Sequence, residues 1–246
     1  GKDFVFVHSS ADVNEVVTAL IRGSFEYAGQ KCSAASRAYI PNSLWPSIKE
    51  QLLQELSKVK TGDPTNIDTT VNAVIDQSAF NSISQYISYA EESSDAKVLT
   101  KINIDDSVGY FIHPTVVETS NPKFKLLEEE IFGPVLTIFT YEDSKFEETL
   151  TICDNTSPYA LTGSIFAKER TAINTAFEFL RHSAGNFYIN DKPTGAVVNQ
   201  QPFGGGRASG TNDKAGSQWN LMRWTSPRSI KENFNPPTNF DYPYMR

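Results

Sequence analysis

Hydrophobic and polar positions follow two alternating periods along the chain. Residues 2–8 (KDFVFVH) contain the apolar run of residues 4–7, which is typical of a buried β-strand. The next apolar positions have helical spacing and are Val13, Val17, Leu20, Ile21 and Phe25. Because Ser10 precedes this stripe, it is the predicted N-cap of the helix.

The same alternation continues towards the C-terminus. Further strands are predicted at residues 36–40, 98–104, 110–118, 135–139, 161–167 and 186–190. Further helices are predicted at residues 44–59, 80–90, 144–153 and 172–180, and the third of these begins with the capping-box pattern of residues 144–147. The segments at 98–104 and 110–118 are expected to be neighbouring strands. This order predicts an α/β fold with a largely parallel sheet flanked by helices.

The C-terminal fifth of the chain has a different composition. Residues 194–216 are rich in Gly, Gln, Asn and Ser, which indicates a long functional loop. Residues 222–230 have a strand-like pattern, and Pro236, Pro237 and Pro243 follow without a core pattern. We therefore predict a main domain over residues 1–216 and a tail over residues 217–246 that docks on a partner or another domain.

Composition and charge narrow the class of protein. The 246 residues include 29 acidic and 22 basic side chains, so the net charge of -7 disfavours nucleic acid and anionic membrane surfaces as partners. No apolar run reaches the roughly 20 residues that span a bilayer, and no targeting peptide is recognisable. Two cysteines without partners at metal-ligand spacing predict a reducing compartment and no metal site. Because Gly1 leads directly into a strand, we expect the chain to be part of a longer protein.

Cys32 is the candidate nucleophile. It follows a predicted helix and Gly29 in the segment FEYAGQKCS at residues 25–33, where its neighbours are polar or small. Lys31 and nearby backbone N–H groups would favour the thiolate, which is the reactive form of a cysteine. The alternative is a buried structural cysteine, as free cysteines often are. For Cys153, which shares a helix with Leu150 and Ile152, the structural interpretation is preferred.

Two other segments could contribute to a site. Residues 126–134 (LLEEEIFGP) join an acidic turn to an aromatic residue and a Gly-Pro break, although the same pattern fits a solvated helix end. Residues 200–210 (QQPFGGGRASG) form a loop whose glycines allow close approach to a ligand or to another segment. Neither a dinucleotide-binding nor a P-loop fingerprint is present here.

These segments together resemble the ordered signature of the aldehyde dehydrogenase superfamily. The motifs that carry the resemblance are GQKCS at 29–33, EEIFGPV at 129–135 and PFGG at 202–205. Residues 32–37, 200–210 and 223–227 resemble one branch of that superfamily, the 1-pyrroline-5-carboxylate dehydrogenases. The resemblance extends from Gly1 to about residue 234 and implies the catalytic domain of the family, with a C-terminal tail carrying one oligomerisation-type strand.

The resemblance implies a reaction and a set of roles. Cys32 would attack the aldehyde carbon of glutamate semialdehyde, NAD would oxidise the thiohemiacetal, and water would hydrolyse the thioester to give glutamate. Glu130 would hold the nicotinamide ribose, and Phe132 would pack near the nicotinamide ring. Ser33 and the backbone N–H groups of Gly195 and Ala196 would bind the carboxylate of the substrate. Phe203 would pack on its aliphatic chain, and Ala196 stands where a serine is common in the branch.

The resemblance also places parts of the machinery elsewhere. The general-base glutamate, an oxyanion-binding asparagine and the Rossmann NAD-binding domain would precede Gly1, so the chain alone is expected to have negligible dehydrogenase activity. A homo-oligomer in the mitochondrial matrix is implied for the full-length enzyme. Two alternatives stay open: another branch of the superfamily that acts on a different semialdehyde, or a non-catalytic folding or assembly module.

Overall fold

Strands and helices alternate through the computed structural model, which describes residues 1–197 and 199–245. The strands are β1 (Asp3–Val7), β2 (Ala35–Pro41), β3 (Ala96–Val98), β4 (Ile104–Asp105), β5 (Phe111–Ile112), β6 (Thr115–Thr119), β7 (Val135–Tyr141), β8 (Tyr159–Ala160), β9 (Thr162–Phe166), β10 (Asn186–Ile189) and β11 (Gly206–Arg207). The helices are α1 (Val13–Phe25), α2 (Trp45–Leu56), α3 (Gln77–Glu92), α4 (Lys125–Glu128), α5 (Phe146–Asn155), α6 (Arg170–Phe179) and α7 (Gln218–Met222).

A seven-stranded sheet forms the centre of the fold, in the order β10-β9-β1-β2-β7-β6-β3. All neighbouring strands run parallel except β3 and β6, which are antiparallel. The predicted α/β fold with a largely parallel sheet is therefore confirmed. Strand β1 is buried at all five positions, as expected where both faces of a parallel sheet are covered. Helix α1 packs on α2 and helix α5 packs on α6.

The N-cap of α1 differs from the prediction. The helix begins at Val13, so Asp12 occupies the cap position, and its carboxylate accepts hydrogen bonds from the backbone of Asn14 at 3.0 Å and of Glu15 at 3.4 Å. The hydroxyl of Ser10 instead accepts hydrogen bonds from the backbone N–H groups of Lys168 and Glu169. Ser10 therefore links the turn after β1 to the turn after β9.

The predicted capping box at residues 144–147 is wrong. Helix α5 begins at Phe146 and is preceded by a 3₁₀ turn over Asp143–Lys145, so Ser144 lies inside that turn rather than at the cap. Lys145 occupies the cap position and makes no side-chain capping bond. Because the 3₁₀ turn comes first, the α-helix begins two residues after Ser144, and this serine cannot cap it.

The two β-rich segments before residue 120 are neighbours, as predicted, but each is interrupted. Strands β3 and β6 pair antiparallel, as do β4 and β5. Pro114 separates β5 from β6, because proline has no N–H group to donate to a ladder. The predicted continuous strands at 98–104 and 110–118 are therefore too long.

In the tail, residues 218–222 form helix α7, and residues 223–230 form no strand within the described chain. A strand of the oligomerisation type pairs with another subunit, so the strand expected at 223–230 stays a prediction. Among the described residues, no helix is long and apolar enough to cross a membrane.

The predicted loop at residues 194–216 carries little regular structure. Its short strand β11 pairs antiparallel with β8, and a single bridge joins Phe203 to Ala215. Positions 198 and 246, which fall in the predicted loop and tail, lie outside the described residues.

Candidate active site

The turn that carries Cys32 joins α1 to β2 through a strained backbone. After α1 the chain enters a 3₁₀ turn over Glu26–Gly29, in which Tyr27, Ala28 and Gly29 have φ values of 57°, 54° and 68°. The left-handed conformation costs a residue with a Cβ atom about 1–2 kcal/mol. Strain of this kind persists only where the surrounding structure fixes it, and it is common at functional sites.

Gly29 fixes this turn against the segment that precedes β7. A Cβ atom at position 29 would lie 2.2 Å from the carbonyl oxygen of Gly133, so only glycine permits the approach. The Cys32 turn and residues 130–133 are therefore adjacent, although they are about one hundred positions apart in the sequence. Cys32 precedes the parallel strand β2 and residues 130–133 precede the parallel strand β7, so this part of the candidate site lies at the amino-terminal edge of the sheet.

Cys32 is exposed and lies in an open pocket of about 580 Å³. The predicted site residues that line this pocket are Cys32, Ser33, Gly195, Ala196 and Phe203. The pocket is completed by Gln30, Lys31, Thr194, Gln201, Ala215 and Gly216. Cys153, in contrast, is fully buried in the core, and burial raises the pKa of its thiol to about 12. The two cysteines are thus in opposite environments.

One wall of the thiol pocket is held by a hydrogen bond that the sequence did not indicate. Ser33 is 7% exposed, and its hydroxyl lies 2.8 Å from the hydroxyl of Thr194. Thr194 is 4% exposed and immediately precedes Gly195. The Ser33–Thr194 bond therefore joins the cysteine turn to the loop that carries Gly195 and Ala196.

Lys31 forms an ion pair with Glu26, so its charge is not available to the thiol alone. Its ammonium group binds the carboxylate of Glu26 at 2.9 Å, and Lys192 binds the same carboxylate oxygen at 3.3 Å. Burial raises the pKa of Glu26, but the two lysines more than offset this, and the net shift is downwards. Glu26 thus neutralises part of the positive charge of Lys31, which the sequence analysis had predicted to stabilise the thiolate.

Glu130 and Phe132 lie beside the thiol pocket rather than in it. The side chain of Glu130 is 32% exposed and contacts the nitrogen of Gly1. Phe132 has a left-handed backbone with φ 58° and is 46% exposed. Its ring lines a second groove of about 540 Å³ together with Tyr27, Gln30, Ile75 and Ile131. Gln30 lines both the groove and the thiol pocket and so forms the boundary between them.

A buried polar cluster, also not foreseen from the sequence, lies at the start of the sheet. Arg37 is 2% exposed and donates hydrogen bonds to the carbonyl of Lys2, the hydroxyl of Tyr39 and the carbonyl of Cys153. Burial lowers the pKa of Lys2 to about 7 and raises the pKa of Asp3 to about 7. In the part of the chain that the structure describes, no group of His, Cys, Asp and Glu side chains could hold a metal ion.

Comparison with known proteins decides the family. The model of the aldehyde dehydrogenase family matches residues 1–230. This chain belongs to the aldehyde dehydrogenase family. It is 61% identical to the mitochondrial delta-1-pyrroline-5-carboxylate dehydrogenase of Dictyostelium discoideum and 50% identical to the human protein of the same name. Each alignment covers 100% of this chain and 44% of the relative, so the chain spans less than half the length of these curated relatives.

Solved structures agree with this assignment. The delta-pyrroline-5-carboxylate dehydrogenase of Mycobacterium tuberculosis bound with NAD is 48% identical, with a TM-score of 0.87 over 99% of this chain and 44% of that one. A betaine aldehyde dehydrogenase from Staphylococcus aureus is 28% identical, with a TM-score of 0.86 over 98% of this chain and 48% of that one. The fold is thus shared with members of the family that carry different names.

Proposed function

We propose that this chain carries the nucleophile and the substrate-anchoring residues of an enzyme that oxidises L-glutamate γ-semialdehyde to glutamate with NAD. The observation that carries the proposal is the exposed Cys32 thiol in one pocket with Ser33, the Gly195 and Ala196 backbone, and Phe203. The names of relatives at 50% and 61% identity support the choice of substrate.

Cys32 supplies the covalent step. Its sulfur adds to the aldehyde carbon, and the carbonyl oxygen takes up a proton to give a thiohemiacetal. While negative charge develops on that oxygen, the backbone N–H of Cys32 would donate a hydrogen bond to it. Oxidation converts the adduct to a thioester, and water then cleaves the carbon–sulfur bond to release glutamate and the free thiol.

The opposite wall of the pocket suits a short chain that ends in a carboxylate. The hydroxyl of Ser33 and the backbone N–H groups of Gly195 and Ala196 are donors for the anion, which needs several donors when it leaves water. The next amide, that of Val197, already donates to the side chain of Gln201 at 3.2 Å. The ring of Phe203 offers an apolar surface for the methylene groups of the substrate.

We propose that NAD binds at the neighbouring groove, which Phe132 lines and which Glu130 adjoins from a small cavity that it shares with Phe132. The half-exposed ring of Phe132 is a surface on which a flat heteroaromatic ring can pack, and the Glu130 carboxylate can accept hydrogen bonds from ribose hydroxyls. When bound, NAD supplies the two-electron oxidation of the thiohemiacetal. Gln30, at the boundary of groove and pocket, would keep the cofactor and the substrate in contact.

The lining of the thiol pocket also limits what this chain does alone. None of the described residues that line it is a carboxylate or a histidine, so the pocket has no evident general base for thiol activation or thioester hydrolysis. We therefore expect negligible turnover of glutamate semialdehyde with NAD by the 246-residue chain. Turnover near the median of about 10 per second that is typical of enzymes would contradict this.

Assembly and location follow from the tail and the relatives. The tail exposes large apolar side chains, namely Trp219, Leu221, Met222, Trp224, Ile230, Phe234 and Phe240. An exposed set of this size is typical of a surface that another chain or domain covers. We propose a homo-oligomer for the complete enzyme and the mitochondrial matrix as its location, because several relatives are named mitochondrial.

Alkylation of the thiol tests the central proposal. The 246-residue chain is treated with iodoacetamide, the modified cysteine is identified by mass spectrometry, and the rate is measured with and without glutarate as a carboxylate-bearing mimic of the substrate. We expect rapid labelling of Cys32, protection by glutarate, and no labelling of the buried Cys153 while the protein is folded. The Cys32→Ser variant is the control. A Cys32 that reacts no faster than a model thiol in the folded protein would remove the basis for its role.

A further inference from the structure

Hydrogen bonds from two side chains and from a backbone bridge fix the chain on both sides of Phe203. Asn186 donates from Nδ2 to the carbonyl of Pro202 at 3.1 Å, and its Oδ1 accepts the N–H of Gly204 at 3.2 Å. Phe203 exchanges two backbone bonds with Ala215, at 2.9 Å and 2.7 Å. Lys214 Nζ donates to the carbonyl of Gly204 at 3.2 Å. Every backbone polar group from the carbonyl of Pro202 to that of Gly204 therefore has a partner.

All the hydrogen-bonding capacity of the Lys214 ammonium group is used within this set of bonds around Phe203. Its Nζ also donates to the carbonyl of Gly185 and approaches Oδ1 of Asn186 at 3.4 Å, so its three N–H bonds have three oxygen acceptors. All three acceptors are uncharged, and among the described residues no carboxylate forms an ion pair with Lys214. A half-buried ammonium without a counterion is costly, and burial lowers the pKa of Lys214 accordingly. Lys214 therefore has a different role from a solvated surface lysine: it binds backbone carbonyl groups.

Asn186 ties this arrangement to the sheet. It is the first residue of β10, where it pairs with Thr162 of β9. Its side-chain amide uses both its donor and its acceptor on the chain that flanks Phe203. The position of the Phe203 backbone is therefore set by a sheet residue and not by the loop alone.

We propose that Asn186 and Lys214 are positioning residues that hold the Phe203 ring over the thiol pocket and so determine affinity for the carboxylate-bearing aliphatic substrate. The inference rests on the proposed function, in which Phe203 packs on the substrate chain. Cys32 lies on a different element, the turn before β2, and does not depend on these bonds. Loss of the clamp formed by Asn186 and Lys214 should therefore weaken substrate binding and leave the reactivity of the thiol almost unchanged.

The test compares alkylation with protection in the 246-residue chain. Iodoacetamide is small and neutral, so its rate of reaction with Cys32 measures the reactivity of the thiol. The glutarate concentration that halves this rate measures the affinity of the pocket for the carboxylate-bearing mimic. Lys214→Met keeps the side-chain stem and removes the ammonium group. We expect the half-protecting concentration to rise about tenfold, as for loss of charge-assisted hydrogen bonds, with the unprotected rate within about twofold.

Two further variants sharpen the result. Lys214→Arg keeps a charged donor and should keep protection within about threefold of the original chain, which separates the role of the charge from that of the aliphatic stem. Lys97→Met, at an exposed position of β3 on the opposite edge of the sheet, is the matched control and should change neither quantity. Should Lys214→Met fail to fold, Asn186→Asp takes its place, because its carboxylate keeps an acceptor for the N–H of Gly204 but repels the carbonyl of Pro202, to which Nδ2 of Asn186 donates. It should weaken protection roughly threefold.

The outcomes separate the two proposals. Absence of glutarate protection in the unaltered chain would overturn the substrate-anchoring role of the pocket and with it the clamp. Normal protection in the unaltered chain, retained in Lys214→Met or in its replacement Asn186→Asp, would overturn the clamp alone. A variant that loses thiol reactivity and protection to the same degree would show that the residue supports the fold in general, which also contradicts a positioning role.

Discussion

Replacement of Gly29 by alanine would push a methyl group to 2.2 Å from the carbonyl oxygen of Gly133. Two costs add at this position. Alanine in a left-handed backbone, here with φ 68°, costs about 1–2 kcal/mol. The overlap with a backbone carbonyl forces the two segments apart, and overpacking of this kind costs about 1–3 kcal/mol more. We therefore expect a loss of about 2–5 kcal/mol in the free energy of unfolding.

Two other glycines separate these costs. Gly216 has φ 83° but no atom within 4 Å of an added Cβ, so Gly216→Ala carries the backbone cost alone, about 1 kcal/mol. Gly206 has neither a neighbour within 4 Å nor a left-handed backbone, so Gly206→Ala should stay within about 0.5 kcal/mol of the original chain. Urea unfolding followed by tryptophan fluorescence gives all three values.

The glycine variants also show whether the contact between the two segments affects the reactivity of Cys32. Because Gly216 lines the thiol pocket, the control at the site is Gly206→Ala, which lies outside that lining. Of this pair, only Gly29→Ala displaces the turn of Cys32 from the segment that carries Glu130 and Phe132, so only Gly29→Ala should change the alkylation rate of Cys32 by more than about threefold. A Gly29→Ala protein as stable as Gly216→Ala, with an unchanged alkylation rate, would refute the inferred contact between the two segments.

Three further predictions concern single side chains. Burial raises the pKa of Asp3 to about 7, so the folded protein holds this proton more tightly than the unfolded chain, and the stability due to Asp3 is lost as the pH rises towards 7. The advantage of Asp3→Asn over the original chain should therefore grow by roughly 3 kcal/mol between pH 5 and pH 8 in urea unfolding, and a constant difference would contradict the shift. Asp12→Ala should cost about 1 kcal/mol by the same assay through loss of the α1 cap, and an unchanged midpoint would refute that assignment. Ser33→Ala leaves the buried Thr194 hydroxyl without its partner and should weaken glutarate protection of Cys32 roughly tenfold, unlike Ser33→Thr, which keeps a hydroxyl; equal protection in both would exclude the bond.

Much of the fold could be predicted because its determinants are local. Apolar runs with strand period and stripes with helical period mark β1, α1, β2, α2 and α3 directly. The errors occurred where a local signal competed with a contact elsewhere. Ser10 resembles an N-cap, but its hydroxyl is used by the turn after β9, which is about 158 positions away. Residues 223–230 have the composition of a strand, and a strand there would need a partner from outside the described chain.

In the candidate site too, residues in short motifs could be predicted, and contacts between distant segments could not. Cys32, Ser33 and Phe203 could be singled out because they lie in short motifs, and the structure brings them to one pocket. The bond from Ser33 to Thr194 joins residues 161 positions apart and leaves no local signature. Asn186 likewise begins a strand in an ordinary pattern, and only the fold shows that its amide reaches the chain around Phe203.

Strand β1, near the beginning of the chain, lies between β2 and β9 in the sheet. Its pairing with β9 brings Phe4 opposite Gly163, so the two halves of the sheet join only after most of the chain is available. Closing so long a loop is slow, because its entropy is lost before the contacts that compensate for it form. During synthesis on the ribosome Cys32 therefore emerges well before the Gly195 and Phe203 segments that form the rest of its pocket, so the pocket is completed late in folding.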